Sequence, residues 1–245
     1  KAGMQELQLD VYAPAAAGKP CPVIILFHGG SWVSGDKAQL QNQCRYFVQQ
    51  GLVAVTANYR LLGQDTGPKD LCIMDARSAI RWVKSHAMQL HLDTANIILG
   101  GASAGGHLAT MALLNQSIND EADDRAVSIS ARALVLFNPA YSVTEDPAVE
   151  PFHFVNAGVP PVIMFFGSRD KWKPAADSVR TLLIQAGVRC ETWTANGETH
   201  GFFNKNPWML TTCIKAHEFL SSLGLMLTTP ASAPAILTAD LSGVR

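Results

Sequence analysis

The chain has 245 residues, 48% of them hydrophobic, and a formal net charge of −1. That is enough to bury one large core, and the balanced charge supplies no field for nucleic acid or an anionic membrane surface. Charged residues make up 16% of the chain against a usual share of about 25%, so much of it is expected in buried strands and Ala-rich helices, and no apolar run is long enough to span a bilayer.

Leu7 to Tyr12 alternates apolar and polar side chains, the pattern of an antiparallel edge strand. Pro22 to Phe27 is apolar without alternation, as in a fully buried strand. It runs into His28-Gly29-Gly30-Ser31-Trp32. Two successive glycines let the backbone turn so that amide N–H groups point into a cavity rather than a strand ladder. Acyl transfer needs such donors, because its tetrahedral intermediate carries an oxyanion. The plainer reading is a glycine-rich loop that closes a strand, with His28 as its brace.

Leu40 to Gln50 patterns as a helix, and Leu52 to Thr56 as a strand that ends in Asn58-Tyr59-Arg60. Asp70 to Leu90 patterns as a long helix, with Leu71, Met74, Ala79, Ile80 and Val83 on its apolar face and Asp75 suited to the helix dipole. The strand Asn96 to Gly100 leads through Gly101-Ala102-Ser103-Ala104-Gly105 into the helical pattern His107 to Leu114. Strand, tight turn and helix in that order give G-x-S-x-G a mechanism. The residues flanking the serine must be small, the turn lifts its oxygen clear of the sheet, and the helix N-terminus favours developing negative charge. The alternative is an ordinary helix-start turn.

Arg132 to Phe137 and Val162 to Phe166 are further strands. Gly167-Ser168-Arg169-Asp170 leaves the second of them, which puts Asp170 at a strand's C-terminal end, where ligand-facing groups of open α/β sheets gather. Pro174 opens a helix that covers Asp177 to Gly187. Cys190 to Thr194 alternates as a strand before a polar loop that carries His200, and Trp208 to Leu223 is the last helix. The alternation of strand and helix argues for a mostly parallel sheet with helices on both faces. The tail from Thr228 has the Ala, Pro, Ser and Thr content of a linker, and packing on the body or a neighbour is expected to order it. The division is therefore a catalytic domain over 1–227 and a C-terminal extension over 228–245. The five cysteines form no C-x-x-C, which argues against zinc and a redox pair and makes buried thiols the default. The chain begins at Lys1 without a methionine, so residues upstream are expected. A cleaved export signal is compatible with that start, and a secreted or periplasmic location is favoured over a cytoplasmic one.

His28-Gly29-Gly30-Ser31-Trp32 and Gly101-Ala102-Ser103-Ala104-Gly105 together resemble the α/β-hydrolase superfamily over most of the chain. The first is similar to the H-G-G-x-W oxyanion signature. That signature occurs in carboxylesterases related to hormone-sensitive lipase, in kynurenine formamidases, and in small bacterial feruloyl or acetyl-xylan esterases. The resemblance implies the α/β-hydrolase fold and a reaction that needs no metal or organic cofactor. It also implies Ser103 as nucleophile and the backbone amides of Gly30, Ser31 and Ala104 as oxyanion donors. Hormone-sensitive-lipase relatives usually carry a third glycine where this chain has Ser31, a departure that leaves the backbone donor in place.

The superfamily's order is nucleophile, acid, histidine. After Ser103 come His107, His153, His200 and His217. His107 sits within the helix that Ser103 opens, His153 in an irregular proline-flanked segment, and His217 on a helical pattern. His200 occupies a loop at a strand end, and its H-G-F looks like the histidine loop of these esterases. Among Asp146, Glu150, Asp170, Asp177, Glu191 and Glu198, Asp170 matches the family's G-x-x-D loop and precedes the His200 strand. A turn-capping aspartate is its plainer reading.

The oxyanion motif begins at His28, which leaves no room for the N-terminal helical cap of hormone-sensitive-lipase relatives, and Tyr141 to Pro160 suffices only for a loop or small flap. An uncapped site admits bulky or polymeric substrates and lacks a tunnel for a long acyl chain. Trp32, Tyr141 and Phe202 are the expected substrate walls, with Phe203 and Trp208 as further candidates. The expected function is a serine carboxylic-ester hydrolase acting on short-chain or aromatic acyl esters of small molecules or carbohydrates. An arylformamidase or amidase on the same fold shares these residues. A non-catalytic binding relative is the other alternative.

Overall fold

The computed structural model describes residues 6–15, 18–63, 68–141 and 146–226. Seven strands form one sheet: β1 (Leu9–Tyr12), β2 (Cys21–Phe27), β3 (Val53–Ala57), β4 (Leu92–Ala102), β5 (Ala133–Phe137), β6 (Val162–Gly167) and β7 (Cys190–Ala195). Their spatial order is β1-β3-β2-β4-β5-β6-β7. Only the β1–β3 pairing is antiparallel among the described residues. The main helices are α1 (Gln41–Gln49), α2 (Asp70–Ser85), α3 (Ala104–Leu114), α4 (Lys173–Gln185) and α5 (Trp208–Ser222).

The unalternating strands are apolar because both sheet faces are covered. In β2, Val23, Ile25 and Phe27 point into one core with Ile73 and Ile80 of α2, Leu108 of α3 and Val179 of α4. Ile24 and Leu26 point the other way, against Phe47 of α1 and Phe219 of α5. Residues 104–112 of α3 are all buried. This is the mostly parallel sheet, with helices on both faces, that the strand–helix alternation predicts, and it fits the α/β-hydrolase fold that the two motifs imply. No helix among the described residues is long and apolar enough to cross a membrane.

The long helix differs from its predicted form in three respects. It stops at Ser85 rather than Leu90, because the chain must turn back to enter β4, whose Leu92 pairs with Cys21. The stop is held by His86, which donates from both its backbone N–H and Nδ1 to the Trp82 carbonyl and stacks on the Trp82 ring. The buried face is Cys72, Ile73, Ala76, Ile80 and Val83, while Leu71, Met74 and Ala79 are only half-buried. Asp75 serves an ion pair rather than the dipole: its carboxylate accepts from Arg60 Nε at 2.7 Å, Nη2 at 2.6 Å and the Arg60 backbone N–H at 2.8 Å. In α4 the helix begins at Lys173, four residues earlier than the periodicity suggests, since Pro174 fits a first turn without costing a hydrogen bond. All five cysteines are buried and unbonded to one another. The extension from residue 228 lies outside the described residues.

Five parallel strands end on one edge of the sheet. Phe27 is in register with Gly101, Ala102 with Phe137, Phe137 with Phe165, and Gly167 with Ala195. The loops that leave β2, β4, β5, β6 and β7 therefore converge, at the place where open α/β sheets hold their ligands.

Candidate active site

Ser103 stands between β4 and α3 with φ 50° and ψ −115°, a conformation that a non-glycine residue adopts only where its surroundings impose it. Three backbone hydrogen bonds do so here. The Ser103 N–H donates to the Phe137 carbonyl at 2.9 Å, and the Ser103 carbonyl accepts from Ala140 and His107 N–H, both at 3.1 Å. The flanking glycines are required by close approach. A Cβ on Gly105 would strike the carbonyl oxygens of Phe27 and His28, and one on Gly101 would lie 2.6 Å from the Phe27 oxygen.

The loop after β7 brings His200 to this turn. His200 Nε2 lies 2.8 Å from Ser103 Oγ, and Nδ1 lies 2.8 Å from Asp170 Oδ2. The Asp170 side chain is fully buried and that of His200 is 33% exposed. The second Asp170 oxygen accepts the Trp172 N–H at 2.9 Å, so the carboxylate is fixed in the plane that receives the imidazole. A buried carboxylate on Nδ1 leaves the Nε2 lone pair as acceptor for the serine proton, an arrangement able to generate an oxygen nucleophile.

On the other side of Ser103, the loop after β2 takes three positive φ values in succession: Gly30 at 131°, Ser31 at 55° and Trp32 at 64°. Gln39 Oε1 accepts the Gly29 N–H at 2.6 Å, and the Gly30 carbonyl accepts from Val33 and Ser34. Tyr59 donates its hydroxyl to the His28 carbonyl at 3.0 Å and stacks on the imidazole at 4.3 Å. The amides of Gly30 and Ser31, and that of Ala104 at the first turn of α3, have no acceptor among the described residues. Unpaired amides beside a serine oxygen suit a developing oxyanion.

His28 is the brace the sequence suggests. It is buried, its Nδ1 donates to the Gly29 carbonyl, and burial pushes its pKa down. His107 is buried on α3, where its Nε2 donates to the Val149 carbonyl at 2.6 Å and burial lowers its pKa to about 4. The unfolded chain takes up this proton below pH 6.5, whereas the folded chain resists until about pH 4. His107 therefore contributes stability above pH 6.5 that is lost as pH falls toward 4, on the order of 3 kcal/mol. His107→Gln keeps a donor for Val149 but does not titrate. Chemical denaturation of that variant is expected to show a shallower stability loss between these pH values, and an unchanged slope would refute the assignment.

The cleft over Ser103 has a volume of about 270 Å³, and its walls include Gly29, Gly30, Ser31, Trp32, Ser103 and His200. Of the three expected substrate walls, only Trp32 lines it. Tyr141 is 1% exposed and its hydroxyl is bonded to Thr110 in the core. Phe202 is 2% exposed and packs edge-on against Phe203 and Trp208. Neither ring borders the cleft, and Trp208 also lies outside it. Phe203 does line it, as do Lys171, Trp172, Asn138 and Gln39. The last four were not legible as site residues. Trp172 and Lys171 follow the Asp170 turn directly, and that proximity is the signal that marks them.

A BD-FAE family model matches residues 9–135, just over half of the chain. Esterase LipQ of Mycobacterium tuberculosis is 27% identical over 237 residues, covering 82% of this chain. The chain spans 55% of that curated relative's length. A propionate-bound structure of Est2, a thermophilic esterase from the Planctomycetes species Thermogutta terrifontis, is 33% identical with a TM-score of 0.86, and the match covers 92% of each chain. The same enzyme phosphorylated by paraoxon is 36% identical with a TM-score of 0.87, at the same coverage. The family match and the full-length likeness to these esterase structures show that the chain belongs to the BD-FAE family, among the α/β-hydrolase carboxylesterases of hormone-sensitive-lipase-like type.

Proposed function

We propose that this chain hydrolyses short-chain or compact aromatic acyl esters, those of carbohydrates among them, through an acyl-enzyme on Ser103. The observation that carries the reading is the unbroken line from Asp170 through His200 to Ser103, both links at 2.8 Å, opening on the cleft. In this reading His200 Nε2 takes the hydroxyl proton as Ser103 Oγ attacks the ester carbonyl carbon. Asp170 accepts the Nδ1 proton's hydrogen bond, fixes the tautomer and stabilises the imidazolium. The carbonyl oxygen becomes an oxyanion facing the amides of Gly30, Ser31 and Ala104. As the tetrahedral intermediate collapses, the C–O bond to the alcohol breaks and His200 returns the proton to the departing oxygen. Water attacks the acyl-enzyme by the same route, releasing the acid and restoring the serine hydroxyl.

The size of the cleft supports a small acyl group. Its 270 Å³ falls below the range of about 300–1,000 Å³ that encloses drug-sized ligands. Est2 has been captured with propionate, a three-carbon acid. The connection between β5 and β6 adds only the single-turn helices Pro147–Val149 and Pro151–His153 among its described residues. A dodecanoyl chain would leave many methylenes in water, each forgoing about 0.8 kcal/mol of burial.

The p-nitrophenyl esters of acetate and butyrate are therefore expected to exceed dodecanoate in kcat/KM. Efficiency that rises with chain length through dodecanoate would refute the short-acyl reading. Acetylated and feruloylated sugars in the same panel test the alcohol, and an aryl formamide separates an arylformamidase from an esterase.

A further inference from the structure

The chain leaves β5 through Asn138-Pro139-Ala140, and this short segment holds both sides of the site. Ala140 donates its N–H to the Ser103 carbonyl at 3.1 Å. Asn138 donates its backbone N–H to the Phe165 carbonyl at 2.7 Å and has φ 40°, in the left-handed region that asparagine tolerates better than most residues. Its side chain is fully buried yet reaches the cleft. Oδ1 accepts the Gly201 N–H at 3.0 Å, and Nδ2 lies 3.5 Å from His200 Nε2. A backbone N–H can only donate, so the Gly201 contact fixes the amide's orientation. The oxygen faces the loop and the NH2 group faces the imidazole.

We infer that Asn138 is a positioning residue that sets the place of His200 and the direction in which its Nε2 faces. The inference rests on the esterase reading of Ser103 and His200. Two functions are combined in one side chain. The Gly201 bond anchors the residue that follows His200, so the imidazole is held against a turn that Asn138's own segment secures from below. The NH2 group presents a donor to Nε2. That longer contact flanks an unprotonated Nε2, whose one lone pair faces the Ser103 hydroxyl at 2.8 Å. Once Nε2 carries a proton, donor faces donor, and the imidazolium's hydrogen is turned away from Asn138 toward the reacting oxygens. The other ionisable groups around the ring are Asp170 on Nδ1, Lys171 on the cleft wall and Glu198 in the ring's own loop.

The test compares wild type, Asn138→Asp and Asn138→Gly, with kcat and KM for p-nitrophenyl butyrate measured over roughly pH 5 to 9. Asn138→Asp keeps the acceptor for Gly201 and a residue tolerant of positive φ, but it turns a carboxylate oxygen toward Nε2. The acid limb of kcat/KM should move up by about one to three pH units, since an anion beside the ring favours the imidazolium. Asn138→Gly keeps the turn and removes both contacts. Its kcat should fall about tenfold, because the Gly201 anchor that holds His200 in line with Ser103 is lost, with KM nearly unchanged. A merely structural asparagine predicts that Asn138→Gly loses stability but keeps the wild-type kcat and pH profile. A wild-type acid limb in Asn138→Asp, or a wild-type kcat in Asn138→Gly, overturns the proposal. Failure of the wild-type protein to turn over the ester refutes the underlying esterase reading, which the variants do not test.

Discussion

Ser103→Ala is expected to lower kcat for short-acyl ester hydrolysis by about 10⁶-fold, the order seen when the nucleophile of a serine triad is removed. No other hydroxyl can replace it, because His200 Nε2 is aimed at this Oγ at 2.8 Å. The fold should survive. The bonds that hold the turn run from the Ser103 backbone to Phe137, Ala140 and His107, and the substitution leaves them intact. The wild-type serine already bears the strain of φ 50°, so alanine adds little to it. Circular dichroism melts checked alongside initial rates separate the two effects. Substantial hydrolysis by a well-folded variant would show that another group attacks the ester.

Asp170→Asn is expected to reduce kcat by about 10⁴-fold while leaving substrate affinity largely intact. The carboxylate is fully buried and spends one oxygen on the His200 Nδ1 proton and the other on the Trp172 amide. An asparagine in the same place can offer its NH2 to Nδ1. It then selects the tautomer with its proton on Nε2, and that imidazole cannot accept from Ser103. Near-wild-type turnover by Asp170→Asn, with loss of activity in Asp177→Asn or Glu198→Gln, would move the acid to another loop.

Much of the site was legible because its parts sit in short segments with steric requirements of their own. Gly101 and Gly105 are glycines because β4, α3 and the carbonyls of Phe27 and His28 leave no space for a Cβ. The strand before them and the helix after them are visible in the sequence pattern. Asp170 and His200 each follow a buried strand, so their shared edge of the sheet follows from parallel pairing alone. What could not be read depends on tertiary register. Asn138 lies 62 positions before His200, and its contact exists only because β5, β6 and β7 lie side by side. Tyr141 and Phe202 adjoin site segments and so resembled walls, yet an aromatic ring adjoining a site packs inward when the core beneath it has room. The buried face of α2 departs from its apolar pattern for a related reason. Asp75, Arg77 and Arg81 are buried there with hydrogen-bond partners from Arg60 and from residues 112–127, and those partners are invisible to a hydrophobic pattern.

Covalent trapping decides whether Ser103 is the nucleophile. The protein is treated with paraoxon, residual ester hydrolysis is followed, and the modified residue is located by mass spectrometry of its peptides. A nucleophilic Ser103 should carry a single phosphoryl adduct, formed in step with the loss of activity and absent from Ser103→Ala. Complete inactivation with the adduct on a different residue, or undiminished hydrolysis by a protein fully modified at Ser103, would contradict it.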